Sequence, residues 1–264
     1  MRCWPAGTGR STFARCPGWS RWRARPCTPR REETATARRC LPARNLRLVQ
    51  LSDVDYVDAY CERVAPGLLG EPFNAISNLA FLIAAIAVWR STRHLSGSPK
   101  VFPVLLALIF VGSTAFHTTA SGWGGMLDTG FIAVFLLFYI AYFVRWFAGV
   151  RWRLAWLASP VFVAFAALLS FAITGPGMYL AALITLFALA AWLRWQRNAD
   201  ISPYWRPLAT AGVIFTASLT FRSIDHTVCG WLPTGTHFLW HLLNACTLYV
   251  VSSVGIRRWR QVNE

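Results

Sequence analysis

Apolar residues fall along this chain in seven blocks separated by polar or glycine-containing breaks, and each block reads as a helix able to cross a bilayer. They run from Phe73 to Trp89, Val101 to Phe116, Met126 to Trp146, Leu154 to Ile173, Met178 to Leu193, Pro207 to Phe221 and Thr236 to Ile256. Several are short, which predicts a compact all-α bundle of seven transmembrane helices with modest tilt.

The charges between the blocks set a direction. Arg90, Arg93 and Lys100 follow the first block, Arg145, Arg151 and Arg153 the third, Arg194, Arg197 and Arg206 the fifth, and Arg257, Arg258 and Arg260 the seventh. The loops Thr118 to Gly125 and Thr174 to Gly177 carry no Lys or Arg, and the loop Arg222 to Gly235 sets Arg222 against Asp225. Basic loops stay cytoplasmic, so the amino end is expected outside and the carboxyl end inside. Asp53, Asp55, Asp58, Glu62 and Glu71 outnumber Arg47 and Arg63 ahead of the first block and suit the translocated side. The expected organisation is a basic tail (1–46), an acidic extracytoplasmic lead-in (47–72), the membrane domain (73–257) and a short cytoplasmic tail (258–264).

Composition agrees with a membrane protein: 55% of the 264 residues are hydrophobic and 14% charged, too apolar a balance for a soluble domain. Fourteen tryptophans suit the two membrane interfaces. The net charge of +15 resembles that of a nucleic-acid binder, but most of the excess lies in residues 1–46, where arginines mix with Pro, Gly and Cys without helical period. That tail reads as disordered or as the product of an upstream start codon. Nucleic acid is not an expected partner. Cys3, Cys16, Cys27 and Cys40 lie in it without zinc-binding spacing, and Cys246 reads as packing inside the last block.

Against this background the polar residues inside the blocks stand out, because ionisable groups at membrane depth are costly and usually functional. Ser113 and His117 are four apart at the end of the second block, Asp128 lies near the start of the third, and His237 and His241 are four apart at the start of the seventh. Four-residue spacing puts each pair on one helix face, and the topology brings all five to the outward end. Three neutral imidazoles leave a position open on Zn²⁺, the mark of a catalytic rather than a structural zinc. Asp128 then suits proton transfer, and Ser113 suits either oxyanion stabilisation or close helix packing beside Gly112. Asn74, Asn78, Arg222 and Asp225 read as bundle glue or as ligand-orienting partners, and His226 as a solvated loop residue. Cys61 and Cys229 share the oxidising face, where a disulfide and two separate thiols both remain open.

Tyr60-Cys61-Glu62, Glu71-Pro72-Phe73-Asn74-Ala75-Ile76-Ser77-Asn78, Gly112-Ser113-Thr114-Ala115-Phe116-His117, Asp128 and His237-Phe238-Leu239-Trp240-His241 together resemble the alkaline ceramidase family over about residues 53–256. The resemblance implies seven helices, zinc on His117, His237 and His241, and amide hydrolysis assisted by Ser113 and Asp128. It also implies a Cys61–Cys229 bridge. Eukaryotic members hold calcium near the amino end; Glu62 and Glu71 match that set, whereas Ala59 and Val64 replace its other two side chains and Asp58 is displaced by one. Glu62 and Glu71 therefore read either as ligands of a hard cation or as helix caps and partners of Arg63.

The expected function is a zinc-dependent intramembrane amidase acting on ceramide or another N-acyl lipid. A seven-helix receptor or stress-related protein with a structural zinc is the alternative, and a metal transporter fits less well because the cytoplasmic halves of the helices are apolar. The arginine-heavy, alanine-rich composition suggests a bacterial inner membrane. The expected partners are a lipid substrate and the bilayer, with no obligate protein partner evident.

Overall fold

The fold follows from where the apolar blocks begin and end. The computed structural model describes residues 56–173 and 177–264. The expected basic tail with its four cysteines, Arg47, Asp53, Asp55 and the turn residues 174–176 lie outside the described residues. Among the described residues the protein is all-helical, with seven helices long and apolar enough to cross a membrane.

The first span is α1 (Pro72–Ser77) followed by α2 (Leu79–Thr92); the second is α3 (Val101–Thr119) and the third α4 (Gly122–Trp146). The fourth comprises α5 (Trp152–Ala155) and α6 (Ala158–Ala172), and α7 (Gly177–Trp195), α8 (Trp205–Val228) and α9 (His237–Asn263) complete the set. Three features depart from the sequence expectation. The first span is interrupted at Asn78, whose side-chain amide donates to the carbonyls of Asn74 and Ala75 and so competes with the backbone ladder. The sixth span runs two turns past Phe221, so Asp225 and His226 are helical rather than in a loop. Cys246 is exposed on the outer face of α9 instead of packed within the bundle.

Local chemistry explains the helix ends. Pro72 occupies the first turn of α1, where its missing N–H costs nothing. The Glu62 carboxylate caps that helix from a distance, accepting from Phe73 N at 2.7 Å and Asn74 N at 2.8 Å. Ala120 closes α3 in the left-handed region, and Ser121 caps α4 by accepting from Gly124 N. Gly112 lets α3 and α4 approach closely, since a Cβ there would lie 2.9 Å from the Leu127 carbonyl oxygen.

Packing is inward and apolar, with an outer face that is also apolar: Val104, Val111, Val134, Leu168, Phe171 and Val213 are exposed. A hydrocarbon environment accounts for both. At the end of the bundle away from Ser121, Phe102, Phe138 and Tyr142 interlock. The Tyr142 hydroxyl donates to Gly255 O at 3.2 Å, and Arg258 Nε donates to Trp146 O at 2.9 Å.

At the other end Asp225 is the hub. Its Oδ1 accepts from Thr236 N at 2.6 Å and His237 N at 2.9 Å, its Oδ2 from Cys61 N at 2.9 Å. A carboxylate here also complements the positive end of α9. Cys61 and Cys229 form a disulfide with a Cα–Cα distance of 5.3 Å, tying the lead-in to the end of the sixth span. Gly235 has φ +60°, and a Cβ on it would collide with Asp225 Oδ1. Gly235→Ala should therefore destabilise the protein by about 1–3 kcal/mol and lower Tm in detergent by several degrees. Gly130→Ala, with open space around the added methyl, should leave Tm unchanged or slightly raised.

Candidate metal centre

Three helices are needed to build the site. His117 lies in the last turn of α3, and His237 and His241 face the bundle from the first turns of α9. All three are 1% exposed, and each offers a ring nitrogen within 4.8 Å of the other two. The sequence expectation that the second and seventh spans meet through these histidines matches this arrangement.

The tautomers follow from the partners. His117 Nδ1 lies 2.9 Å from Glu71 Oε2, so the ring donates from Nδ1 and presents the Nε2 lone pair. The Ser77 hydroxyl donates to Asn74 O at 2.9 Å and is left to accept from His241 Nδ1 at 2.7 Å, which frees His241 Nε2 in the same way. His237 is held by stacking on the Tyr60 ring, centroid to centroid 3.7 Å. Neither nitrogen of His237, nor Nε2 of His117 or His241, has a protein partner. Buried imidazole nitrogens without protein partners, gathered within 4.8 Å of one another, could hold a metal ion that takes nitrogen ligands.

Asp128 is buried on α4 outside the ligand cluster, where Ser113, 1% exposed on α3, faces it. The other polar residues divide between the two roles that the sequence left open. Asn74 donates to Glu71 Oε2 at 3.1 Å and so supports the carboxylate that supports His117. Asn78 engages carbonyls of its own helix, and Arg222 lies over the rings of Tyr179 and Trp240 at 4.8 and 5.7 Å. Asp225 reaches the site through the His237 backbone rather than its ring. His226 is exposed.

Sequence reasoning grouped Ser77 with Asn74 and Asn78 as bundle glue or ligand-orienting partners and offered Arg63 as a partner of Glu62 and Glu71, but it gave Tyr60 no role at the site. It did not reach the contact of Ser77 with His241, which spans 164 residues. Arg63 is the one basic residue beside the motif Tyr60-Cys61-Glu62, a signal that becomes meaningful once its burial is known.

The same geometry decides between the two readings of Glu62 and Glu71. Both Glu62 oxygens accept backbone N–H groups of α1. Glu71 Oε1 takes Arg63 Nε and Nη2, each at 2.6 Å, and Oε2 takes Asn74 and His117. Burial pushes the Glu71 carboxyl up from its usual range, and the Arg63 guanidinium is the main opposing influence. Calcium wants six to eight oxygens, roughly, at about 2.3–2.6 Å. Asp58 is exposed, and the Asn74 amide oxygen is the one buried side-chain oxygen beside these groups without a partner. The donor set does not fit calcium.

The family model described as Ceramidase matches residues 56–260, nearly the whole membrane domain and its lead-in. No curated protein matches the chain. Replacing the Ser77 hydroxyl removes the acceptor that fixes one ligand ring, so Ser77→Ala should weaken zinc binding about 10-fold in a chelator competition. Asn78→Ala, next to it but committed to its own helix, should leave the zinc affinity unchanged.

Proposed function

The chain belongs to the ceramidase family, and on that premise we propose that it is a zinc-dependent intramembrane amidase that hydrolyses ceramide, or a similar N-acyl lipid, to a fatty acid and a sphingoid base. The observation that carries this reading is the buried triad His117, His237 and His241, whose inward nitrogens have no protein partner.

Zinc held by these imidazoles supplies a Lewis acid for the amide carbonyl and makes the attacking water more acidic. The protein's own groups do the rest. Asp128, close by but outside the ligand cluster, accepts the proton of the attacking water and returns it to the departing amine. Ser113 donates its hydroxyl to the carbonyl oxygen as negative charge builds there. Glu71 and Ser77 hold two ligand rings in the tautomer that faces inward, so neither ring has to reorganise during the reaction.

A narrow apolar cavity of about 50 Å³ opens among the third to seventh spans, walled by Ile132, Phe135, Phe162, Leu186, Leu248 and Val251, and marks a path along which an acyl chain would enter. Asn244, one turn beyond His241, is on the same wall, so the apolar space begins close beneath the triad. This arrangement suits a lipid amide whose carbonyl sits just below the headgroups. Basic loop residues gather at the opposite end, which supports a triad on the extracytoplasmic side, and the arginine-heavy, alanine-rich composition supports a bacterial inner membrane.

The purified protein should bind one zinc and release fatty acid from a ceramide panel, and His241→Ala should lose both. Asp128→Asn should keep the zinc while kcat falls by about 10²–10⁴. Bound zinc without hydrolysis of ceramides or other N-acyl lipids would point instead to a receptor-like protein with a structural ion, and absence of zinc would remove the premise.

A further inference from the structure

Arg63 is 4% exposed overall, and its side chain is fully buried against an equally buried Glu71. No other described arginine is classed as buried. Its guanidinium is committed in three directions at once. Nε and Nη2 meet Glu71 Oε1, Nη1 donates to Val57 O at 2.7 Å, and the plane lies 4.4 Å from the Phe116 ring centroid and 5.1 Å from that of Tyr60. Two routes therefore lead from this cation to the triad. One passes through Glu71 to His117 Nδ1, the other through the Tyr60 ring stacked on His237.

We infer that Arg63 is a built-in cation that positions His117 and His237 for metal binding, occupying the electrostatic role for which a bound calcium ion would otherwise be required, so that this protein works without calcium. A lone buried carboxylate between Glu62, Asn74 and His117 needs a positive partner to stay ionised and to hold a ring N–H firmly. Arg63 supplies it covalently, and with three N–H donors and the Nη2 ion-pair contact on its two oxygens Glu71 is poorly placed to take a hard metal as well. The inference rests on reading the triad as a metal site.

The test uses purified full-length protein in detergent with zinc, cobalt(II) and calcium salts as probes. Wild type should bind one Co²⁺ with the visible spectrum of a nitrogen-ligated tetrahedral ion, and neither calcium-free buffer nor millimolar Ca²⁺ should alter its Tm or its zinc affinity. Arg63→Met should weaken zinc binding about 10–100-fold and change the cobalt spectrum. The double variant Arg63→Met/Glu71→Gln removes both buried charges together, so it should recover the Tm lost by the single change while its zinc affinity stays low. Arg258→Met breaks a comparable arginine-to-carbonyl bond at the far end of the bundle and should lower Tm without touching the metal.

Unchanged zinc affinity in folded Arg63→Met, or a saturable rise in wild-type Tm with Ca²⁺, overturns the inference. Failure of wild type to bind zinc or cobalt overturns the metal reading instead.

Discussion

A carboxylate with no solvent exposure, Glu71, sets the terms for everything at one end of this bundle. Buried charge is tolerated only when its partners are charged or hydrogen-bonded, and removing one partner of such a group costs about 3–5 kcal/mol. Glu71 meets the requirement with Arg63 and Asn74 on one side and His117 on the other. The lead-in segment, the first turn of the first span and the last turn of the second are thereby bound to a common point. What fixes the fold locally also fixes the direction in which His117 offers its lone pair.

A second carboxylate repeats this logic with backbone instead of side chains. Asp225 gathers N–H groups from Cys61, Thr236 and His237, so the start of α9 is anchored on the sixth span before either of its histidines is reached. The disulfide from Cys61 to Cys229 joins the same two regions covalently. Glu71 and Asp225 thus steady different members of the triad, with the Tyr60 ring packed beside His117 and stacked on His237. Among the described residues the far end has no equivalent. There the helices are fastened by aromatic packing and by arginines donating to carbonyls, including Arg260 to Ser91 O. This division of labour places polar precision where chemistry is expected and leaves the rest of the interior apolar.

The periodicity of apolar blocks was enough to read the number of helices, because length and hydropathy are local properties that hydrocarbon enforces one span at a time. The histidine pairs were legible for a related reason: four-residue spacing survives folding unchanged. The break at Asn78 was not legible, since its cause is a side-chain amide choosing carbonyls of its own turn over a neighbour. Nor was the length of the sixth span, where Asp225 is accommodated in a helix because N–H groups from two other segments come to meet it. The partner of Ser77 could not be read because it is 164 residues away, and the weight of the Arg63–Glu71 pairing could not because it depends on burial. The family resemblance pointed to the three histidines that converge and to the bridge, yet its calcium set stopped at two of the four side chains, and the arginine between Glu62 and Val64 is bonded to one of them, Glu71.

Whether such a centre supports hydrolysis or only structure turns on what fills the fourth position. Structural zinc is closed by four protein ligands, whereas catalytic zinc keeps a place for water. Among the described residues three imidazoles converge; the Glu71 carboxylate is spent on Arg63, Asn74 and His117 Nδ1, and Asp128 lies outside the cluster, faced by Ser113. Three neutral ligands would leave an ion's charge largely undiminished, which favours polarising a carbonyl over simple cross-linking. The apolar cavity that begins one turn below His241 argues in the same direction, because a purely structural site gains nothing from an apolar opening beside it. A metal centre at the mouth of such an opening would be an economical arrangement for cutting a lipid amide, and it would require the histidines, the withheld carboxylate and the opening together.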